Sequence, residues 1–347
     1  VTESYTLLNS LYVLTEGSWL HLDNDTVRVD VEHVTKLRVP LHHLSNIVAF
    51  GDSLISPALL ARAMERGIAV AYFSRSGRFI ARVDGPLTGN VYLRRDQHLA
   101  AADPSKALSI ARALLAGKIR NSRTVLLRGA RDAHLPADRD ELVAAARHLN
   151  ASLRTLKVAP DLDAARGIEG DAARVYFAAF PLLLRPDLRA SFPFDLRSRR
   201  PPRNALNALL SFLYAMLTHD CRGAAESVGL DPQVGLLHAL RPGRPALALD
   251  LVEEFRAVLA DRTALTLINR GQLRARDFHV SQGGAVQLMD DARKLVLSAW
   301  QERKRETVRH PILGADVPLG LLAQLQARLL ARVIRGELDG YVPYLHR

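Results

Sequence analysis

Gly85-Pro86-Leu87-Thr88-Gly89-Asn90 separates two kinds of sequence. Glycine and proline at this density interrupt regular structure, so the run reads as a connection between domains. On its N-terminal side lie short β-prone runs at Leu11 to Leu14, Trp19 to Leu22, Val27 to Val31, Lys36 to Val39, Ile47 to Phe50, Ala69 to Phe73 and Phe79 to Val83. Asp23-Asn24-Asp25-Thr26, between the second and third runs, suits a hairpin turn. One helix interrupts the series: Ser56 caps it, Pro57 suits its first turn, and Gly67 closes it after Leu59, Leu60, Ala63 and Met64. Strands this short and closely spaced point to a small sandwich or barrel.

On the C-terminal side apolar residues recur every three or four positions. They do so over Ser105 to Arg128, Arg139 to Lys157, Ile168 to Phe180, Asn204 to His219, Leu247 to Ala260 and Asp290 to Arg305. The expected fold class is therefore α+β. A small β-rich domain over 1–90, of a kind that more often scaffolds or dimerises than carries chemistry, is followed by a larger all-α domain over 91–347.

Bulk composition narrows the function. The 347 residues, 48% of them hydrophobic, suffice for two cores, which excludes disorder as the dominant state. Lys and Arg number 47 against 36 Asp and Glu, a formal charge of +11 that favours a polyanionic partner, nucleic acid ahead of an anionic membrane. The single Cys221 excludes an internal disulfide framework and a cysteine-cluster metal site. No apolar run approaches the ~18 residues of a membrane span. The opening VTESYTLLNSLYVLT lacks an export signature, so a cytoplasmic location is expected.

Several segments are candidates for chemistry, each with a plainer alternative. Pro193 to Pro202 reads PFDLRSRRPP, followed by Arg203. It is either a solvated loop or one whose arginines fork onto phosphate oxygens. Asp250 and Glu253 lie three apart and so share a helix face, flanked by Leu249, Leu251, Val252 and Phe255. Like charges beside an apolar face need a cation, and Arg256 can supply it as an ordinary ion pair. His238 precedes that helix in a stretch that Gly235, Pro242 and Gly243 turn back toward it; a packed core histidine is the alternative. Glu169 is expected at the start of its own helix, where a capping role suffices to explain it.

Taken together in order, these segments resemble one family. RGIEGDAARVYF (166–177), NALNALLSFLYAMLTHDC (204–221), VGLDPQVGLLHALRPGRPALALDLVEEFR (228–256) and FHVSQGGAVQLM (278–289) resemble successive blocks of the CRISPR-associated spacer-acquisition integrase. LHHLSNIVAFG (41–51) and the run Gly117-Lys118-Ile119-Arg120-Asn121 belong to the same likeness, which is strongest to the type I-C form. The resemblance implies a β-rich dimerisation domain and a helical catalytic domain with one metal site. It assigns Glu169, His238 and Glu253 as ligands of Mn²⁺ or Mg²⁺, and Asp250 as a supporting acid beside them. The implied activity is metal-dependent cleavage of DNA, and its insertion into a CRISPR array through 3′-hydroxyl attack on a repeat phosphodiester. The implied partners are double-stranded DNA, a second copy of the chain and a small ferredoxin-like companion endonuclease.

Two carboxylates and one imidazole suit such an ion, because they leave coordination positions for substrate oxygens. Lys118, Arg123, Arg174, Arg199, Arg200, Arg203 and Arg256 are the candidate DNA contacts. Tyr176, seven residues past Glu169, either orients a strand end or packs in the core. A non-catalytic DNA-binding scaffold and a general DNA repair nuclease are the alternative functions.

Overall fold

The computed structural model describes residues 7–75, 77–83, 85, 91–198 and 201–346. Its contacts divide into two units. One joins the described part of Val1–Thr88 to Asp290–Arg305, and the other joins Gly89–Met289 to Glu306–Arg347.

The first unit is built from β1 (Asn9–Val13), β2 (Trp19–Asp23), β3 (Thr26–Val31), β4 (Val34–Pro40), β5 (Leu44–Phe50), β6 (Leu54–Ile55), α1 (Pro57–Glu65), β7 (Ala69–Phe73) and β8 (Phe79–Val83). They form two four-stranded sheets, ordered β1-β5-β7-β8 and β4-β3-β2-β6. Asp23 pairs with Thr26, and Asn24 takes a left-handed φ of 55°, so the expected hairpin turn is present. The Ser56 hydroxyl accepts the Leu59 N–H at 3.3 Å to start α1, and Gly67, at φ 66°, ends it. β1, β5 and β7 pair in parallel, which requires crossovers; α1 lies in the crossover from β5 to β7. Leu11, Leu20, Val27, Ile47, Leu59 and Val70 bring both sheets and α1 into one apolar cluster.

The second unit begins with α2 (Val91–Ala102), α3 (Pro104–Asp132), α4 (Pro136–Lys157), α5 (Leu162–Ala179), α6 (Pro186–Arg189) and α7 (Ala205–Ser227). It continues with α8 (Ala246–Phe255), a π-helical stretch at Arg256–Asp261, and α9 (Arg262–Asn269). Asp103, Asp161 and Asn204 cap α3, α5 and α7 by accepting first-turn N–H groups. α3 is the common neighbour, packing against α4, α5 and α8.

Three features differ from the sequence reading. α5 starts at Leu162 behind the Asp161 cap, so Glu169 sits two turns inside the helix and not at its positive end. The helical unit also contains ribbons, β9 (Phe278–Val280) with β10 (Val286–Leu288) and β11 (Thr307–Arg309) with β12 (Asp316–Pro318), each too short to show a strand period. Finally, α10 (Asp290–Arg305), assigned by sequence position to the helical domain, belongs to the β-rich unit. Gln301 donates to the Tyr12 hydroxyl at 2.9 Å, and Arg305 to Asn9 at 2.9 Å. The chain then ends its second unit with α11 (Leu322–Ile334).

Candidate active site

The loop between α7 and α8 is held by one carboxylate. Asp250, fully buried on α8, accepts the backbone N–H groups of Leu236, Leu237 and His238 at 2.6, 3.0 and 2.9 Å. The same carboxylate lies 2.7 Å from His238 Nδ1. An imidazole nitrogen bonded to an acid in this way directs its other nitrogen outward as a lone-pair donor. Gly235 permits this closeness, since a Cβ there would lie 2.7 Å from Ala246 Cβ and 3.0 Å from Asp250 Oδ2. Arg166 adds a second tether by donating to the Leu237 carbonyl at 2.9 and 2.6 Å.

One turn along α8, Glu253 lies beside His238. Its Oε1 lies 3.9 Å from His238 Nε2 and 3.0 Å from the Arg256 guanidinium. Its Oε2 stands 2.6 Å from Lys118 Nζ, and the same ammonium donates to Glu169 on α5. Burial pushes the Glu253 carboxyl upward, but Arg256 and Lys118 together hold it well below the usual carboxylate range. The structure thus brings His238, Glu253 and Asp250 together, and Lys118 joins Glu169 to Glu253.

Among the described residues, no three His, Cys, Asp or Glu side chains stand close enough to hold a metal ion in their present positions. The donors nevertheless suit one. Two carboxylates converge on a point already occupied by positive charge, and an imidazole nitrogen stands 3.9 Å from one of them. Glu169, Glu253 and His238 are the residues able to hold such an ion.

Sequence reasoning missed the support behind this site. Glu254, adjacent to Glu253, turns the other way. It accepts the Tyr344 N–H at 2.6 Å, a Gln326 amide at 3.0 Å and the Tyr341 hydroxyl. Asn121 on α3 donates to the Glu254 carbonyl at 2.8 Å and the Tyr344 carbonyl at 2.9 Å, while accepting the His346 N–H at 2.8 Å. Gly117 lets the tail approach, as a Cβ there would lie 2.7 Å from Pro343. The tail is therefore fastened one residue from Lys118 and one from Glu253. On the π-helical stretch, buried Asp261 accepts hydroxyls from Tyr214 at 2.6 Å and Tyr176 at 2.8 Å. Tyr176 is thus a core residue with its hydroxyl spoken for. Arg256 lies over the Tyr214 ring at 4.7 Å.

The basic candidates separate by position. Lys118 and Arg256 are largely buried against the acids just described. Arg123 is half-buried on α3. Arg174 is exposed and pairs with Asp171 at 2.7 Å, and Arg203 is exposed beyond the proline-bounded loop. Arg197 in that loop bonds Asn207 at 2.8 Å and Ser211 at 3.1 Å, which gives it a structural task. Arg199 and Arg200 lie outside the described residues.

Comparison with known proteins gives the class first. The chain is 52% identical to a CRISPR-associated endonuclease Cas1 of Moorella thermoacetica over 341 residues, covering 98% of this chain and 99% of that protein. Likeness at this level over nearly the whole length defines a CRISPR-associated endonuclease. The family model for CRISPR associated protein Cas1 matches residues 11–302, and the chain belongs to the Cas1 family. Two solved structures share its fold. A chain of a Cas6-RT-Cas1–Cas2 complex has a TM-score of 0.83 and 23% identity, covering 100% of this chain and 38% of that one. A casposase bound to an integration product has a TM-score of 0.82 and 20% identity, covering 96% and 93%. No helix among the described residues is long and apolar enough to cross a membrane.

Proposed function

We propose that this endonuclease is a metal-dependent DNA integrase of CRISPR adaptation, with Glu169, His238 and Glu253 taking Mn²⁺ or Mg²⁺. The observation that carries this reading is the convergence of Glu169 and Glu253 on one cationic point, beside an outward imidazole nitrogen. Bound there, the ion supplies Lewis acidity, polarising a phosphodiester and acidifying the attacking hydroxyl. The chain's own residues prepare the site. Asp250 fixes the His238 ring, Arg256 offsets the charge of Glu253, and the packed layer of Tyr176, Tyr214 and Asp261 keeps Arg256 in place.

In integration, the 3′-oxygen of an incoming fragment forms a bond to phosphorus as the repeat strand's own P–O bond breaks. Water in place of that hydroxyl gives hydrolysis at the same site. The likeness to a casposase on its integration product supports the strand-transfer half of this reading. We assign the β-rich unit to pairing with a second copy, and double-stranded DNA to the basic surface around the site. A small ferredoxin-like companion endonuclease, a type I-C system and the cytoplasm complete the assignment.

The deciding experiment incubates pure protein with a repeat-bearing plasmid and a short 3′-hydroxyl duplex, with and without Mn²⁺. The expected result is half-site joined product only with metal. Binding without any metal-dependent reaction indicates a DNA-binding scaffold, and cleavage without joining indicates a general repair nuclease.

A further inference from the structure

Lys118 occupies the point on which the site's two carboxylates converge. Its ammonium bonds Glu169 and stands 2.6 Å from Glu253 Oε2, with the side chain only 11% exposed. A second cation, Arg256, is committed to the other oxygen of Glu253 at 3.0 Å. With Asp250 behind His238, three carboxylates face two cations. A divalent ion added beside both cations turns this into an excess of about +1 in a poorly solvated place, where uncompensated charge is costly.

Space leads to the same conclusion. Bonds from such ions to carboxylate oxygens are about 2.0–2.6 Å long, so an ion held by both Glu169 and Glu253 would need the space that Nζ fills. Arg256 is held by the Tyr214 ring at 4.7 Å. The lysine has a flexible stem and a strongly hydrated head, and it is the cation able to leave. The cavity lined by Lys118, Ser122, Tyr176 and Asp261 measures about 20 Å³, room for a single water and too little for a hydrated ammonium.

We propose that Lys118 is a placeholder for the divalent ion, clamping Glu169 and Glu253 together until the ion displaces it and the freed ammonium turns to the DNA backbone. This rests on the metal reading above and adds an order of events to it: metal entry makes the site more cationic toward DNA.

The test measures Mn²⁺ binding by electron paramagnetic resonance in wild-type protein and Lys118→Met, and DNA binding with Mn²⁺ or with chelator. Lys118→Met is expected to bind Mn²⁺ about tenfold more tightly, as the competing charge-assisted bonds are gone. It should lose the gain in DNA affinity that Mn²⁺ gives the wild type. Equal or weaker Mn²⁺ binding by the variant, with wild type binding one ion, overturns the placeholder and leaves the metal site standing. Absence of Mn²⁺ binding by both proteins sinks the metal reading itself. If Lys118→Met does not fold, reductive methylation of wild-type protein read by mass spectrometry decides the matter. Mg²⁺ should increase labelling of Lys118, and unchanged or reduced labelling refutes its release.

Discussion

Glu253 and Glu254 are neighbours on one helix, both buried, and their surroundings are opposite. Glu253 meets Lys118, Arg256 and His238, and those charges outweigh burial to keep it ionised. Glu254 meets two tyrosine residues, a glutamine amide and, among the described residues, no cation. Burial prevails there, raising its carboxyl to about 8. Two acids of equal length and equal burial thus divide the labour of α8. One is held as a charge among cations, and the other fastens the tail as a neutral or nearly neutral group.

The sharpest way to break this comparison is to neutralise each acid in turn. Glu253→Gln should lower metal-dependent cleavage by about 100-fold or more, with an unchanged circular dichroism spectrum. Glu254→Gln, which resembles the protonated acid, should remain within about tenfold of wild type. Equal losses in a plasmid-nicking assay would erase the distinction.

A smaller effect is expected one turn back. Asp250→Ala strips acceptors from three backbone N–H groups and from His238, so it should cost about 3–5 kcal/mol of stability in urea unfolding. A loss of activity at wild-type stability would instead move Asp250 from holding the loop into the reaction itself.

Asp261 offers a milder test of burial against partners. Burial raises its carboxyl from 3.8 to about 6, despite two tyrosine hydroxyls and Arg256 that favour the charge. The folded state therefore binds this proton more tightly than the unfolded chain. Its stabilising contribution is complete below about 3.8 and is lost as pH rises through about 6. Asp261→Asn should flatten the fall in melting temperature across that window; an unaltered profile means that another group governs it.

Least of all should change at Arg174, whose side chain is 70% exposed. Arg174→Ala is expected to reduce the slope of log DNA affinity against log salt by about one. An identical slope returns Arg174 to a plain ion pair with Asp171.

Much of this could be read from the chain before any coordinates. Ser56, Pro57 and Gly67 act within a few residues of one another, and the helix they bound is where local rules put it. The spacing of Asp250 and Glu253 likewise put both on one turn, and Gly235, Pro242 and Gly243 turned His238 back toward them, but only the family resemblance joined them to Glu169. What stayed hidden is long-range. Asn121 meets Tyr344 across 223 residues, and Lys118 meets Glu169 across 51. No periodicity records such pairs, and a lysine in a helix reads the same whether it faces water or two acids. The π-helical stretch after Glu253 was equally invisible, since its apolar pattern continues that of α8.

The return of α10 to the β-rich unit sets a timetable for synthesis. Tyr12 waits for Gln301, 289 residues later, an interval of roughly 15–60 s at ordinary rates of translation. Until then the nascent sheet must persist without its helix while the intervening residues emerge. The last strokes fall late for the other unit too, because Glu254 waits for Tyr344. A fragment ending at residue 90 never receives α10, so its failure to fold would report an unfinished unit and not a missing dimer. Ribosome-bound chains stalled before and after residue 305 should differ in the protease resistance of their first 80 residues or so, a difference that no purified full-length protein can reveal.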